Sequence, residues 1–119
     1  MPFTRSAPIT NTHLAAFLAD LERQEAAKKT TVNYRSDLLS VARWFHDSTG
    51  EEFAAANVTP TDIRDYQAFL QTNQGCTPAT VNRRLAALRK FFQWAVAGGH
   101  STENPTASVK GVQSVPNEV

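Results

Sequence analysis

Apolar side chains recur at intervals of three and four residues in four separate segments of the chain. This spacing places the side chains of each segment on one face of an α-helix. The four stripes are Leu14, Phe17, Leu18 and Leu21; Tyr34, Leu38, Val41 and Phe45; Ile63, Tyr66, Phe69 and Leu70; and Val81, Leu85, Leu88, Phe92 and Val96. The sequence contains neither strictly alternating runs nor the Asn-Gly or Asp-Gly dipeptides of tight β-hairpins. The pattern predicts an all-α fold of four helices.

Capping residues predict where the first two helices begin and end. Asn11 precedes the first helix, which should fade near Ala26. Thr30 or Thr31 precedes the second, because either hydroxyl can accept a hydrogen bond from an amide of the first turn. The second helix should end near Asp47, before a Ser-Thr-Gly segment.

The other two helices start with a stronger signal. Thr59-Pro60 and Thr77-Pro78 each place a hydroxyl at the N-cap and a proline at the first helical position. Asp62 adds a negative charge in the first turn, where the helix dipole favours it. The third helix should end before Asn73, and the fourth should run to Ala97, where two glycines follow.

These elements predict one domain over residues 10–110, with a flexible tail at residues 1–9 and a linker at residues 111–119. From His100 onward the sequence is polar and contains Asn104-Pro105, which is typical of a linker or a frayed end. The segment Thr31-Val32-Asn33-Tyr34-Arg35 returns as Thr80-Val81-Asn82-Arg83-Arg84. Each copy opens the second helix of a pair, which favours a bundle of two stacked helical hairpins.

The 119 residues carry 12 Lys and Arg against 11 Asp and Glu, a net charge of +1. This near balance hides two basic segments. Residues 66–102 hold no acid, and their four cations are Arg83, Arg84, Arg89 and Lys90. Residues 26–46 are also basic and contain Asp37 as their one acid. On charge alone, ordinary solvated helix faces explain this pattern better than a polyanionic partner does.

The sequence offers no arrangement typical of catalysis or metal binding. His13, His46 and His100 lie on separate elements, and Cys76 is the one cysteine. No glycine-rich phosphate loop or Gly-x-Ser-x-Gly segment occurs. We therefore expect no cofactor and no enzymatic activity of this chain alone. The lone cysteine suits a reducing cytoplasm, and the lack of an apolar run of roughly 20 residues argues against a membrane.

A cationic patch remains as a candidate binding surface. At 100° per residue, Thr80, Arg83, Arg84, Ala87 and Lys90 fall within roughly 120° of the fourth helix. Thr77 and the first-turn amides lie at the positive end of the helix dipole, a setting that suits phosphate oxygens. A similar set opens the second helix: Lys28, Lys29, Thr30, Thr31, Asn33 and Arg35. Lysines and hydroxyls hold a nucleic-acid backbone, while Asn and Arg also read base edges. The alternative, that these residues only solvate the helices, stays open.

Motifs follow one another along nearly the whole chain: Thr31-x-x-Tyr34-x-x-x-Leu38, Val58-Thr59-Pro60-x-Asp62-Ile63, Thr77-x-x-Thr80-Val81-Asn82-Arg83-Arg84-Leu85, and Asn104-Pro105. In this order and at this spacing they resemble the core-binding domain of tyrosine recombinases, the phage integrase family. The resemblance implies a four-helix, SAM-like bundle that forms one half of a clamp around duplex DNA at a recombination site. It also implies that a separate C-terminal domain supplies the catalytic residues, none of whose patterns, such as His-x-x-Arg, occurs in this sequence.

By this resemblance the second and fourth helices face the DNA. Together with the charge pattern, it gives the candidate DNA-binding residues Lys29, Thr30, Thr31, Asn33, Arg35, Thr77, Thr80, Arg83, Arg84 and Lys90. The expected partners are double-stranded DNA, the C-terminal catalytic domain of the same parent protein and other recombinase subunits on the DNA, with no membrane.

Two other functions compete with DNA binding by a recombinase domain. The first is a helical protein-interaction module in which an exposed Phe91 or Trp94 docks a partner helix. The second is a transcriptional regulator with a helix-turn-helix. The lengths of the helices joined by residues 73–76 disfavour this reading, because a compact three-helix pattern is lacking.

Overall fold

A computed structural model describes residues 12–23 and 28–112 of the protein, with the backbone alone for Thr12 and residues 28–31. Within these ranges the chain forms four α-helices: α1 (Thr12–Arg23), α2 (Lys28–Thr49), α3 (Pro60–Thr72) and α4 (Pro78–Ala97). A short 3-10 turn at Ala55–Asn57 interrupts the connection between α2 and α3. No strand occurs in the described ranges, and the prediction of an all-α fold of four helices is confirmed.

Helices α3 and α4 start where the sequence predicts, and the side chains show why. Thr59 Oγ1 accepts a hydrogen bond from the Asp62 amide at 3.2 Å, and Asp62 Oδ2 accepts one from the Thr59 amide at 2.9 Å. This reciprocal capping box satisfies two amides that a helix terminus leaves without a partner. Thr77 Oγ1 accepts a hydrogen bond from the Thr80 amide at 3.2 Å and caps α4 without a reciprocal bond.

The predicted start of α2 is wrong, because the helix already begins at Lys28. Thr30 and Thr31 therefore lie inside the helix rather than at its N-cap. Helix α2 ends at Thr49, two residues beyond the predicted end near Asp47. The predicted cap Asn11, the predicted end of α1 near Ala26 and the predicted tail at residues 1–9 lie outside the described residues.

The bundle consists of two helical hairpins, α1–α2 and α3–α4, packed across one hydrophobic core. Helix α4 contacts all three other helices. Phe53, from the connection between the hairpins, lies near the centre. Its ring centroid is 5.8 Å from that of Phe45, 5.7 Å from Phe91 and 5.9 Å from Phe92. Burial of such aromatic side chains is the main favourable contribution to stability in a domain of this size.

Helices α2 and α4 run in the same direction along the bundle. Asp37 of α2 contacts Arg83 of α4, and further along both helices Phe45 and Phe91 pack against the same Phe53. Their N-terminal ends therefore lie at one end of the molecule. The two helix starts that carry the candidate binding residues are thus on the same end.

The buried face of α4 is wider than its apolar stripe. Ala87 and Phe91, which the stripe leaves out, are both fully buried, whereas Val96, a member of the stripe, is 37% exposed. The prediction that Ala87 belongs to an open cationic face is wrong, and so is the prediction of an exposed Phe91. Because α4 contacts three helices, more than one row of its side chains is covered.

Residues 104–112 pack against the bundle, although the sequence from His100 onward is typical of a linker or a frayed end. Pro105, Thr106 and Val109 are buried. Asn104 Oδ1 accepts a hydrogen bond from the Thr106 amide at 2.9 Å and bends the chain back towards the helices. Residues 113–119 of the predicted linker lie outside the described residues.

Candidate nucleic-acid interface

A cluster of three charged side chains joins the middle of α2 to the second turn of α4. Arg83 Nη2 donates a hydrogen bond to Asp37 Oδ1 at 3.0 Å, and Arg84 Nε lies 3.8 Å from the same oxygen. Asp37 is only 6% exposed. The side chain of Arg83 is 54% exposed, compared with 23% for Arg84. Asp37 of α2 therefore compensates part of the positive charge of the basic segment in α4. A count of charges within each segment does not show this contact.

Helix geometry explains why Asp37 is buried. Asp37, Val41 and Trp44 are spaced i, i+4 and i+7, and so form one row on α2. Trp44 packs on Tyr66 and Phe69 of α3, with ring centroids 5.2 Å and 6.1 Å apart. The row thus faces the second hairpin, and Asp37 enters the seam between the hairpins. A buried carboxylate needs charged or hydrogen-bonded partners, and the two arginines supply them.

Burial governs the protonation of this cluster. Desolvation raises the pKa of Asp37 above its ordinary value, and the charges of Arg83 and Arg84 oppose this shift only in part. Burial also raises the pKa of Tyr66, against the opposing effect of Arg84. Tyr66 Oη and Arg84 Nε are both buried and have no hydrogen-bond partner among the described residues. Arg84 is therefore the more buried of the two arginines at the seam.

The N-terminus of α4 brings Thr77 and Thr80 next to the arginines. The Thr77 hydroxyl accepts a hydrogen bond from the Thr80 amide, and it donates one to Thr80 Oγ1 at 3.2 Å. Thr80 precedes Arg83 and Arg84 by three and four residues, so all three lie on neighbouring turns of one side of α4. Thr77 caps α4, while on this side of the helix Thr80 is partly exposed to solvent and Arg83 is exposed.

The candidates on α2 are divided between two faces. Asn33 is exposed and lies one turn before Asp37, on the side of α2 that faces α4. Arg35 is also exposed, but it lies about 160° around the helix from Asn33, so the structure does not bring it to the seam. The side chains of Lys29, Thr30 and Thr31 lie outside the described part of the chain. Their backbone places them in the first turn and a half of α2, at the same end of the molecule as Arg83.

Lys90 lies apart from the other candidates. It is exposed two turns beyond Arg83, about 10 Å along α4. There it borders an open depression of about 200 Å³ between α1 and α4, lined also by Phe17, Asp20, Leu21, Gln93 and Trp94. Trp94 is half-buried and donates from Nε1 to Asp20 Oδ2 at 3.1 Å. Of the two aromatic side chains expected to dock a partner helix, Phe91 is therefore buried and Trp94 is hydrogen-bonded to α1.

The sequence pattern does not reveal the role of Asn82, which holds the C-terminal segment. Asn82 Nδ2 donates to the Val112 carbonyl at 2.8 Å, and Asn82 Oδ1 accepts from the Val112 amide at 2.7 Å. Arg89 Nη2 donates to the Val109 carbonyl at 3.0 Å, and Gln67 Nε2 to the Lys110 carbonyl at 2.9 Å. The segment runs back along α4 from its middle towards its N-terminus. The chain therefore reaches residue 112 close to the turn that carries Arg83.

The signals for the two missed residues were weak but visible. Asp37 is the one acid among residues 26–46, and Asn82 occupies the place in the repeated segment that Asn33 has in the first copy. Neither signal reveals a contact with a residue distant in sequence.

The described ranges hold no group of three His, Cys, Asp or Glu side chains arranged to bind a metal ion. None of the described helices combines the length and the apolar character needed to cross a membrane.

Comparison with known proteins identifies the family. Residues 14–99 match the family model described as phage integrase, N-terminal SAM-like domain. Tyrosine recombinase XerD of Lacticaseibacillus casei is 33% identical over 101 residues, covering 82% of this chain and 32% of that protein. Tyrosine recombinase XerC of Pelotomaculum thermopropionicum is 36% identical over 88 residues, covering 69% and 28% respectively. Tyrosine recombinase XerC of Xylella fastidiosa is 28% identical over 102 residues, covering 83% and 33%.

The chain thus spans about a third of the length of the curated relatives that it matches. No solved structure gives a significant match. The four-helix bundle, the motifs along α2, α3 and α4, and the family match over residues 14–99 agree with one another. The chain belongs to the phage integrase family, as its N-terminal SAM-like domain.

Proposed function

We propose that this chain is the DNA-binding, core-binding domain of a tyrosine recombinase and holds one side of a duplex through the N-terminal ends of α2 and α4. The observation that carries the proposal is the position of Arg83. The Arg83 side chain is half-exposed at the α2–α4 seam, towards the end of the molecule at which both helices begin. Thr80 on α4 and Asn33 on α2 flank this position.

The chemistry of this surface suits a phosphate backbone. Each helix start directs backbone amides and the positive end of its dipole outward, which favours an anion. Arg83 adds a planar set of N–H donors, and Thr80 adds a hydroxyl. Asn33 has both a donor and an acceptor, the combination that binds an adenine edge in the major groove. The backbone of Lys29, Thr30 and Thr31 lies in the first turn of α2, at the same end of the molecule.

Contacts of this kind position the protein on DNA more than they select a sequence. With Arg83 and Lys29 as its main charged residues, this surface should make a small number of phosphate contacts. The domain should therefore bind DNA weakly at physiological salt. We assign bond cleavage to a separate domain of the parent recombinase. The path of residues 104–112 supports this, because it leads the chain back to the end of the bundle that faces the DNA. Binding to DNA also agrees with the cytoplasmic location expected from the sequence.

The experiment is a titration of fluorescein-labelled duplex DNA with the chain, followed by anisotropy at several salt concentrations and by amide chemical shifts. Affinity should fall steeply with salt. Shifts should concentrate in the first turns of α2 and α4. Binding without salt dependence, or shifts confined to α1 and α3, would contradict the proposal and favour a protein-interaction module.

A pair of charge-matched variants sharpens this experiment. Arg83→Ala should weaken binding and reduce the slope of log affinity against log salt by about one. Arg43→Ala removes the same charge from an exposed site of α2, about 15 Å further along the helix than Asn33. Its affinity should remain close to that of the unmodified chain. Equal losses in the two variants would mean that net charge, rather than this surface, attracts the DNA.

A further inference from the structure

Two adjacent arginines of α4 face the same carboxylate but have different environments. Arg83 reaches Asp37 Oδ1 from the solvent side, with a hydrogen bond of 3.0 Å and a half-exposed side chain. Arg84 approaches the same oxygen from the interior, and its Nε is buried. Arg84 therefore presents less of its side chain to an external ligand than Arg83 does. Arg83 is the member of the pair that a DNA backbone can touch.

The hydrogen bond to Asp37 leaves most of the Arg83 guanidinium available. A guanidinium has five N–H donors in one plane, and Nη2 of Arg83 uses one of them for Asp37. Asp37 is buried and held between two helices, so its carboxylate provides a fixed point of attachment. An arginine that is ordered before binding loses less rotamer freedom when it meets a phosphate.

We propose that Asp37 is a positioning residue for DNA binding: it fixes the Arg83 guanidinium at the α2–α4 seam, ready to contact a backbone phosphate, while Arg84 supports Asp37 from the interior. This inference rests on the function proposed above. It assigns the contact with DNA to Arg83, and it assigns the positioning of the Arg83 guanidinium to Asp37 and Arg84.

A simple charge argument gives the opposite expectation, which makes the proposal testable. A carboxylate near the DNA repels phosphates, so its removal should strengthen binding if Asp37 acts only through its charge. If Asp37 acts by ordering Arg83, its removal weakens binding, and it does so only while Arg83 is present. The sign of the effect and its dependence on Arg83 separate the two cases.

The experiment is a double-mutant cycle of Asp37→Asn, Arg83→Ala and the double variant, with the labelled duplex as probe. Asp37→Asn should weaken binding by about two- to tenfold, the range that corresponds to ordering one long side chain. In the Arg83→Ala background the same change should leave affinity unchanged or increase it. Unchanged or stronger binding by Asp37→Asn alone would overturn the inference, as would an equal loss in both backgrounds.

Arg83→Lys provides a second variant that conserves charge at an exposed position. A lysine ammonium cannot reproduce the planar set of donors that joins the carboxylate to a phosphate. Arg83→Lys should therefore bind almost as weakly as Arg83→Ala, and binding like that of the unmodified chain would contradict the inference. This variant decides the question if Asp37→Asn does not fold, which far-ultraviolet circular dichroism will report.

The two proposals fail in different ways. If the unmodified chain shows no salt-dependent binding to the duplex, the proposed function is wrong, and the role of Asp37 falls with it. If the unmodified chain binds as expected but Asp37→Asn and Arg83→Lys match it, only the positioning role is wrong.

Discussion

Replacing Asn82 with alanine should release the C-terminal segment from the bundle. Asn82 makes two hydrogen bonds with the backbone of Val112, at 2.8 Å and 2.7 Å, in a partly buried place. A hydrogen bond of this kind contributes about 0.5–1.5 kcal/mol to stability, so their loss costs about 1–3 kcal/mol. Alanine is the better helix former by roughly 0.5 kcal/mol, which offsets part of this. We expect the free energy of unfolding to fall by about 0.5–2.5 kcal/mol.

Urea denaturation measures this change, and amide hydrogen exchange locates it. The Val112 amide donates to Asn82 Oδ1, so its exchange should become fast in Asn82→Ala while amides in the middle of α4 stay protected. Asn33→Ala is the matched control, because it makes the same chemical change at an exposed position of α2. The control reports the gain in helix propensity alone.

Two results would refute the reasoning about Asn82. One is an unfolding free energy of Asn82→Ala equal to that of Asn33→Ala. The other is an unchanged rate of exchange at Val112, which would mean that Gln67 and Arg89 hold the segment without Asn82. Both side chains donate to backbone carbonyls of the same segment, at Lys110 and Val109, so their contribution is separable by the corresponding alanine variants.

Three further outcomes follow from the core, the caps and the buried acid. Leu85→Ala should cost about 2–5 kcal/mol in urea denaturation, because Leu85 is fully buried in α4, and a loss below 1 kcal/mol would contradict its place in the core. Thr59→Ala should cost about 1 kcal/mol by removing the capping box of α3, with Thr61→Ala as the exposed control, whose cost should be smaller. Because burial raises the pKa of Asp37, the folded chain holds that proton more tightly than the unfolded chain does. The unfolding free energy of the unmodified chain, relative to Asp37→Asn, should therefore rise as the pH falls from neutral towards 4, and a constant difference would contradict this.

Local signals in the sequence were enough for most of the fold. Thr59-Pro60 and Thr77-Pro78 mark helix starts through chemistry within one turn, and the structure places both starts where predicted. The apolar stripes identified the four helices for the same reason. The face of α4 was less predictable: Phe91 lies off the stripe, and its burial depends on how many helices surround α4.

The errors at the candidate site have a shared physical origin. Arg83 and Asp37 are 46 residues apart, and no local pattern shows that one compensates the charge of the other. The C-terminal segment has no helical periodicity. It is held by side chains that bind its backbone, as Asn82 does at Val112, and such contacts leave no mark in the sequence of the segment itself. What depends on one element was predictable, and what depends on the docking of two was not.

The contact between Asp37 and Arg83 also connects folding to recognition. One residue belongs to the first hairpin and the other to the second, so the seam exists only after the two hairpins have docked. A chain in which either hairpin has formed alone has the same net charge and the same arginine. It lacks the fixed carboxylate and the paired helix starts. Under the proposed function, binding to DNA should therefore appear late in folding and disappear early in unfolding.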